Sequence, residues 1–364
     1  MKLLRALLVC ACLGPLAGAT TFTVSPTGTC PTDIFSVQGA IDSALPNDVV
    51  QLAAGEFNFT CATDFGGLTI AKAGFVLSGA PGASIIHGPG VLDPSETIAV
   101  FVAANSVTIT NISFRDFYFG VFVQAGKGNF TLRNCTFDRV LLSAQVARQG
   151  HGAKILNNVF NVPAPPSPDV TSDFGTAFAL FVGRQNEYLL VAGNTVTGPG
   201  RVANFQQPQD LFAGNTSPIH TAGIWQVDTV VPASTWGRIS NNTVTGVDLG
   251  IQSSSNFSVV SNNQINNSAI GLAVSNDTDD GATQVTDGII TGNDLRGNEV
   301  GLWMASAARN VISFNDVLFN SVVGLLFLNN TNGAPSDTNL FILNQGSKLG
   351  VAGNQGTFIR APKD

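Results

Sequence analysis

The sequence predicts an all-β solenoid, a stack of short parallel strands wound into coils. Three observations carry that expectation. Only 11% of the 364 residues are charged, while Gly, Asn, Thr and Val abound, a balance that favours strands and tight turns. The stretch "GRISNNTVTGVDLGI" from Gly237 returns 21 residues later as "SVVSNNQINNSAIGL" from Ser258. After each repeat the apolar residues alternate with variable ones, the period of a strand.

The N-terminus comes first. Lys2 and Arg5 form a positive end, Leu3 to Leu13 is mostly apolar, and Ala17-Gly18-Ala19 is a small-residue cleavage site, so residues 1–19 read as a secretory signal. The mature chain, 20–364, then holds 15 basic and 24 acidic residues, a net charge of −9, which disfavours nucleic acid as a partner. No later apolar run is long enough for a membrane span. The expected location is secreted, extracellular or periplasmic, or the cell surface, and the expected state is a monomer. Export permits a disulfide, and Cys30 and Cys61, which bracket one segment, are paired. Cys135 sits at an apolar repeat position as a small buried filler. Residues 30–46 form a cap: Ile34, Val37, Ile41 and Ala44 share one helical face, and Pro46-Asn47-Asp48 stops the helix.

The coils follow. One column holds Asn158, Asn194, Asn242, Asn263, Asn293, Asn315 and Asn344, with Ile112 and Cys135 at the same place in two earlier coils. An apolar residue lies three places before each asparagine. Eight or nine residues on, where nothing intervenes, comes a second column, mostly glycine: Gly120, Ser143, Ala179, Gly223, Gly250, Gly271, Gly301, Gly324. Stacking such repeats as rungs ~4.8 Å apart puts like residues in line. Asparagine tolerates the left-handed backbone of a sharp bend, and its amide can bond to the amides above and below.

These columns resemble the right-handed parallel β-helix of the pectate lyase superfamily, with its asparagine ladder, over most of the mature chain. "SVQGAIDSALPNDVVQLAAGEF" resembles the start of many such proteins, where a short helix covers the open end of the stack. The resemblance implies one elongated domain and a protein that acts on or binds polysaccharide; it specifies architecture more than chemistry.

Insertions at about 161–174, 197–219, 276–288 and 329–338 flank one strand face from opposite sides, which predicts a trough. Two places past the glycine column lies its floor: Phe122, Gln145, Phe181, Trp225, Gln252, Ala273, Trp303, Leu326. Of these, Phe122, Phe181, Trp225, Gln252 and Trp303 are the candidate substrate-binding residues, since rings stack on sugar C–H faces and amides bind hydroxyls. The other reading makes the aromatics a satellite core beneath the insertions.

Five places past the column stand Arg148, Arg184 and Asp228 on consecutive coils, with Lys127 and His151 close by. A uronate-polymer lyase needs cations to neutralise a carboxylate and a base for the adjacent proton. Arg148 and Arg184 suit the clamp, and His151 or Lys127 the base; surface ion pairing with Asp228 is the plain alternative. "QGHGAK" resembles the Gly-His-Gly of polygalacturonases, but that family's clustered upstream aspartates and downstream Arg-x-Lys are missing. Two-carboxylate hydrolysis is therefore unsupported, and the Asp-Pro-His motif of mannuronan epimerases is missing too. Asp277, Asp279, Asp280 and Asp287 make an acidic segment that is either a Ca²⁺ site or a solvated loop; Thr278 breaks the EF-hand pattern. No other cofactor is called for. The expectation is a polysaccharide-directed protein, as a lyase or as a non-catalytic glycan-binding or structural β-helix.

Overall fold

A computed structural model describes residues 19–63, 66–91, 96–165, 177–201, 220–227, 234–275, 284–328, 337–346, 349–352 and 355–359. The signal segment up to residue 18 lies outside them. One helix, Thr32–Ser43, stands at the start, and strands make up nearly all the remaining regular structure. Its buried positions include Ile34, Val37 and Ile41, the expected stripe. Gln38 pairs with the backbone of Thr69, its amide donating to the carbonyl and its oxygen accepting from the N–H, so the helix sits over the first coils.

The strands stack in parallel. Among the described residues thirteen short ones form one sheet, from Thr21–Val24 through Lys154–Leu156 and Val259–Ser261 to Gln355–Ile359. All the others but two form a second, strongly curled sheet in which Ser113–Val123 and Thr136–Val146 run unbroken through the bend; Val285–Thr286 and Ala307–Ala308 pair separately. Each coil contributes a strand to both sheets, and the core is the column of side chains between them. Phe114, Phe137 and Phe160 stack there at 5.0 Å between centroids. Repetition explains this: one apolar choice, made once per coil, becomes a continuous file.

The asparagine column is a hydrogen-bonded file. Asn158, Asn194, Asn242, Asn263, Asn293 and Asn315 each donate from Nδ2 to Oδ1 of the next, at 2.8–3.0 Å, the last reaching Asn344. Each Oδ1 also accepts the N–H of the preceding member, as Asn263 does from Asn242. Cys135 donates its N–H to Asn158 and so opens the file. Its thiol is buried, and burial pushes its pKa up to about 12. Cys30 and Cys61 form a disulfide beside the helix.

The described flanks of the expected insertions belong to the coils. Asn161 ends the strand Val159–Asn161, and Thr197 ends Thr195–Thr197. Val285 and Thr286 pair with Ala307 and Ala308, and Asp337 opens Asp337–Ile342. Residues 166–174, 202–219, 276–283 and 329–336 lie outside the described residues.

Candidate functional site

The floor positions align as one register file. Phe122 pairs with Gln145, Gln145 with Phe181, Phe181 with Trp225, and Trp225 with Gln252. Gln252, Ala273, Trp303 and Leu326 follow. Phe101 extends the file one coil earlier and stacks on Phe122 at 5.8 Å. Phe181 meets Trp225 edge-on at 5.6 Å.

The file is not uniformly open. Phe122, Gln145, Phe181 and Trp225 are half-buried. Gln252 is 7% exposed, with its amide near Ser254 Oγ and the carbonyl of Ser275, while Ala273 is buried and Leu326 is 3% exposed. Trp303 is half-buried and packs both on the main core and on a small apolar cluster of Val300, Val323 and Leu326. Half-burial therefore runs from Phe101 to Trp225, is interrupted at Gln252 and Ala273, and returns at Trp303.

The cationic candidates meet at one corner. The N–H of Gly126 bonds to the carbonyl of Arg148, and the N–H of Gln149 to that of Arg184. The His151 ring lies directly over Gly128, where an added Cβ would sit 2.3 Å from its Cε1. A Cβ on Gly150 would meet the carbonyl of Lys127 at 3.1 Å. Lys127, Arg148, His151 and Arg184 thus occupy three successive coils. Gln145 and Phe181 precede Arg148 and Arg184 by three residues each, so this corner borders the half-buried stretch of floor. Arg148 and His151 are exposed, and Lys127 and Arg184 half-buried. Asp228 lies outside the described residues.

Similarity searches bear on this scaffold. No protein-family model and no curated protein sequence matches the chain. Among solved structures it is similar to the Dettilon tailspike protein at 13% identity and TM-score 0.57, over 88% of this chain and 62% of that one. It is also similar to the catalytic domain of a GH87 α-1,3-glucanase crystallised with tetrasaccharides, at 11% identity and TM-score 0.56, over 94% and 68%. A periplasmic alginate epimerase matches at 11% identity and TM-score 0.50, over 87% and 67%. The chain is a right-handed parallel β-helix. It spans less than two thirds of the tailspike chain, and at these identities the likeness is one of fold.

The acidic candidates divide. Asp277, Asp279 and Asp280 lie outside the described residues of the β-helix. Asp287 stands at a corner with both oxygens accepting from Arg309, at 2.9 and 2.6 Å, and that bond holds its carboxyl below the usual range. Among the described residues no group of three His, Cys, Asp or Glu is placed to hold a metal ion. No described helix is long and apolar enough to cross a membrane.

Two clusters escaped the sequence reading. On the outer face His87 bridges Glu56 at 2.8 Å and Asp116 at 3.2 Å, and Asp116 takes a two-pronged contact from Arg139. The Arg139 bond is the main reason the Asp116 carboxyl stays below its usual pKa. The second is an exposed aromatic file, Tyr188, Trp236 and Phe257, at the corner that carries His151. Only register unites either set, because insertions make the spacings unequal.

Proposed function

We propose that this β-helix binds a polysaccharide over Phe122, Gln145, Phe181 and Trp225, and that it cleaves a uronate polymer by β-elimination. The observation that carries the reading is that Lys127, Arg148, His151 and Arg184 lie on the same coils as the ring-and-amide floor and beside it. Arg148 and Arg184 would neutralise the uronate carboxylate and so acidify the proton beside it. His151 or Lys127 would take that proton, and its electron pair would form the ring double bond as the glycosidic oxygen leaves. The glucanase and the epimerase, whose names give them polysaccharide substrates, support a glycan ligand; they do not single out elimination. Export fits the signal-like residues 1–19 and the Cys30–Cys61 disulfide.

A non-catalytic glycan-binding protein is the second reading, favoured by the burial of the floor at Gln252, Ala273 and Leu326. Absorbance of the unsaturated uronyl product, followed across a panel of uronate polymers, separates the two. The lyase reading expects signal from at least one polymer and a loss of about 10²-fold or more in Arg148→Ala and Arg184→Ala. Silence from every polymer ends it.

A further inference from the structure

The coils turn through left-handed residues, and several corners depart from the residue types that suit such turns, among them Phe314, Phe319, Leu343 and one file that carries three aromatics. Ser106, Asn129 and Gly152 hold it in three early coils, at φ 57, 56 and 65°. The next three coils place Tyr188, Trp236 and Phe257 there, at φ 54, 61 and 53°. Backbone bonds fix the alignment: the N–H of Tyr188 meets the carbonyl of Thr235, and that of Trp236 the carbonyl of Asn256. A bulky aromatic residue at positive φ is an outlier, and folding alone would be served by Asn or Gly. Phe314 and Phe319 share that backbone, so what sets this file apart is three exposed aromatics in register on consecutive coils.

The rings face solvent, 60%, 54% and 42% exposed. Trp236 and Phe257 are near parallel, 17° apart with centroids at 5.0 Å. Faces in full contact lie about 3.5–4 Å apart, so these two rings are displaced sideways like shingles and each leaves part of a face uncovered. The file is one residue wide. Glu187, Thr235 and Asn256 border it on one side and align with His151; Leu190, Arg238 and Val259 lie two residues beyond on the other. A narrow aromatic strip with hydrogen-bonding margins suits a sugar chain, whereas a subunit interface of standard size needs roughly 800 Å² per partner.

We propose that Tyr188, Trp236 and Phe257 form a second glycan-binding shelf, on which a polysaccharide strand runs along the axis of the β-helix with its sugar faces against the rings. The shelf rests on the polysaccharide reading above but is distinct from the trough floor. Glu187, Thr235 and Asn256 lie where they can bond to its hydroxyls.

Affinity electrophoresis through gels containing single polysaccharides tests this, with wild type, Trp236→Asn, Trp236→Phe and Trp225→Ala. Asparagine suits the left-handed corner, so Trp236→Asn should melt no earlier than wild type by more than a few degrees. The shelf predicts at least tenfold weaker retardation for Trp236→Asn and within threefold of wild type for Trp236→Phe. Unchanged retardation in Trp236→Asn overturns the shelf; if Trp225→Ala is then weakened, the floor reading survives alone. A wild type retarded by no polymer overturns both. A wild-type dimer in sedimentation that Trp236→Asn dissociates assigns the strip to a second copy and also overturns the shelf.

Discussion

Neighbouring asparagines do different work. Asn241 and Asn262 hold left-handed corners at φ 57 and 55° with exposed side chains, while Asn242 and Asn263 turn inward and are 1% exposed. The first of each pair makes the bend, and the second bonds one coil to the next. Gly193, Gly292, Phe314 and Leu343 replace the first member elsewhere without loss of the second, so the inner amide defines the file. Asn263→Ala orphans the buried N–H of Asn242, leaves its Nδ2 with only the Val191 carbonyl, and removes the bonds to Ile239 and Asn293. At about 1–3 kcal/mol for each buried group left unsatisfied, a loss near 3 kcal/mol or more is expected in denaturant titration. Asn262→Gly, which suits the same φ, should change stability by less than about 1 kcal/mol. Equal effects would mean that the inner amides contribute nothing particular.

The N-terminal cap is held by a residue its apolar stripe did not reveal. Asp33 is fully buried, and its carboxylate accepts from the N–H groups of Thr27, Gly28 and Asn58 and from the Thr27 hydroxyl. Burial alone would raise its pKa, but these bonds outweigh burial and lower it. A lowered folded-state pKa contributes stability that is present above the unfolded value of about 3.9 and lost as pH falls through the folded value. The cap should therefore loosen below about pH 4, seen as rising hydrogen exchange in the Thr32–Ser43 helix, and Asp33→Asn should flatten that dependence. An unchanged profile in Asp33→Asn would remove the carboxylate from the account. The Cys30–Cys61 bond adds a covalent tie across a separation of 31 residues. Replacing both with serine is expected to cost about 3–4 kcal/mol, measured as the drop in unfolding free energy, if the gain is mainly loop-closure entropy.

Over the whole molecule the floor file shows how far pattern carries and where it stops. Trp225 and Trp303 occupy the same register column and are both half-buried, yet Trp303 alone also packs against the small apolar cluster of Val300, Val323 and Leu326. Trp303→Ala should lower stability by about 3–5 kcal/mol and leave glycan retention intact. Trp225→Ala should weaken retention; the reverse pattern would exchange their roles. The column of Phe122, Phe181, Trp225 and Trp303 was legible because a coil repeats its register even when a loop intervenes. So were the amide ladder and the capping stripe. Asn186, Asn298, Asn310, Asn320 and Asn339 also bond between coils, and these were not legible, because no repeated doublet marks them. By itself the sequence determined that coils stack and which residues share a column, since a local alternation repeated at near-constant length needs no knowledge of distant contacts. The tertiary structure alone decided which column members are covered, which corners carry exposed rings, and which charges meet across coils. Those depend on what lies beside each position in space, and a one-dimensional period carries no record of neighbours brought together by folding.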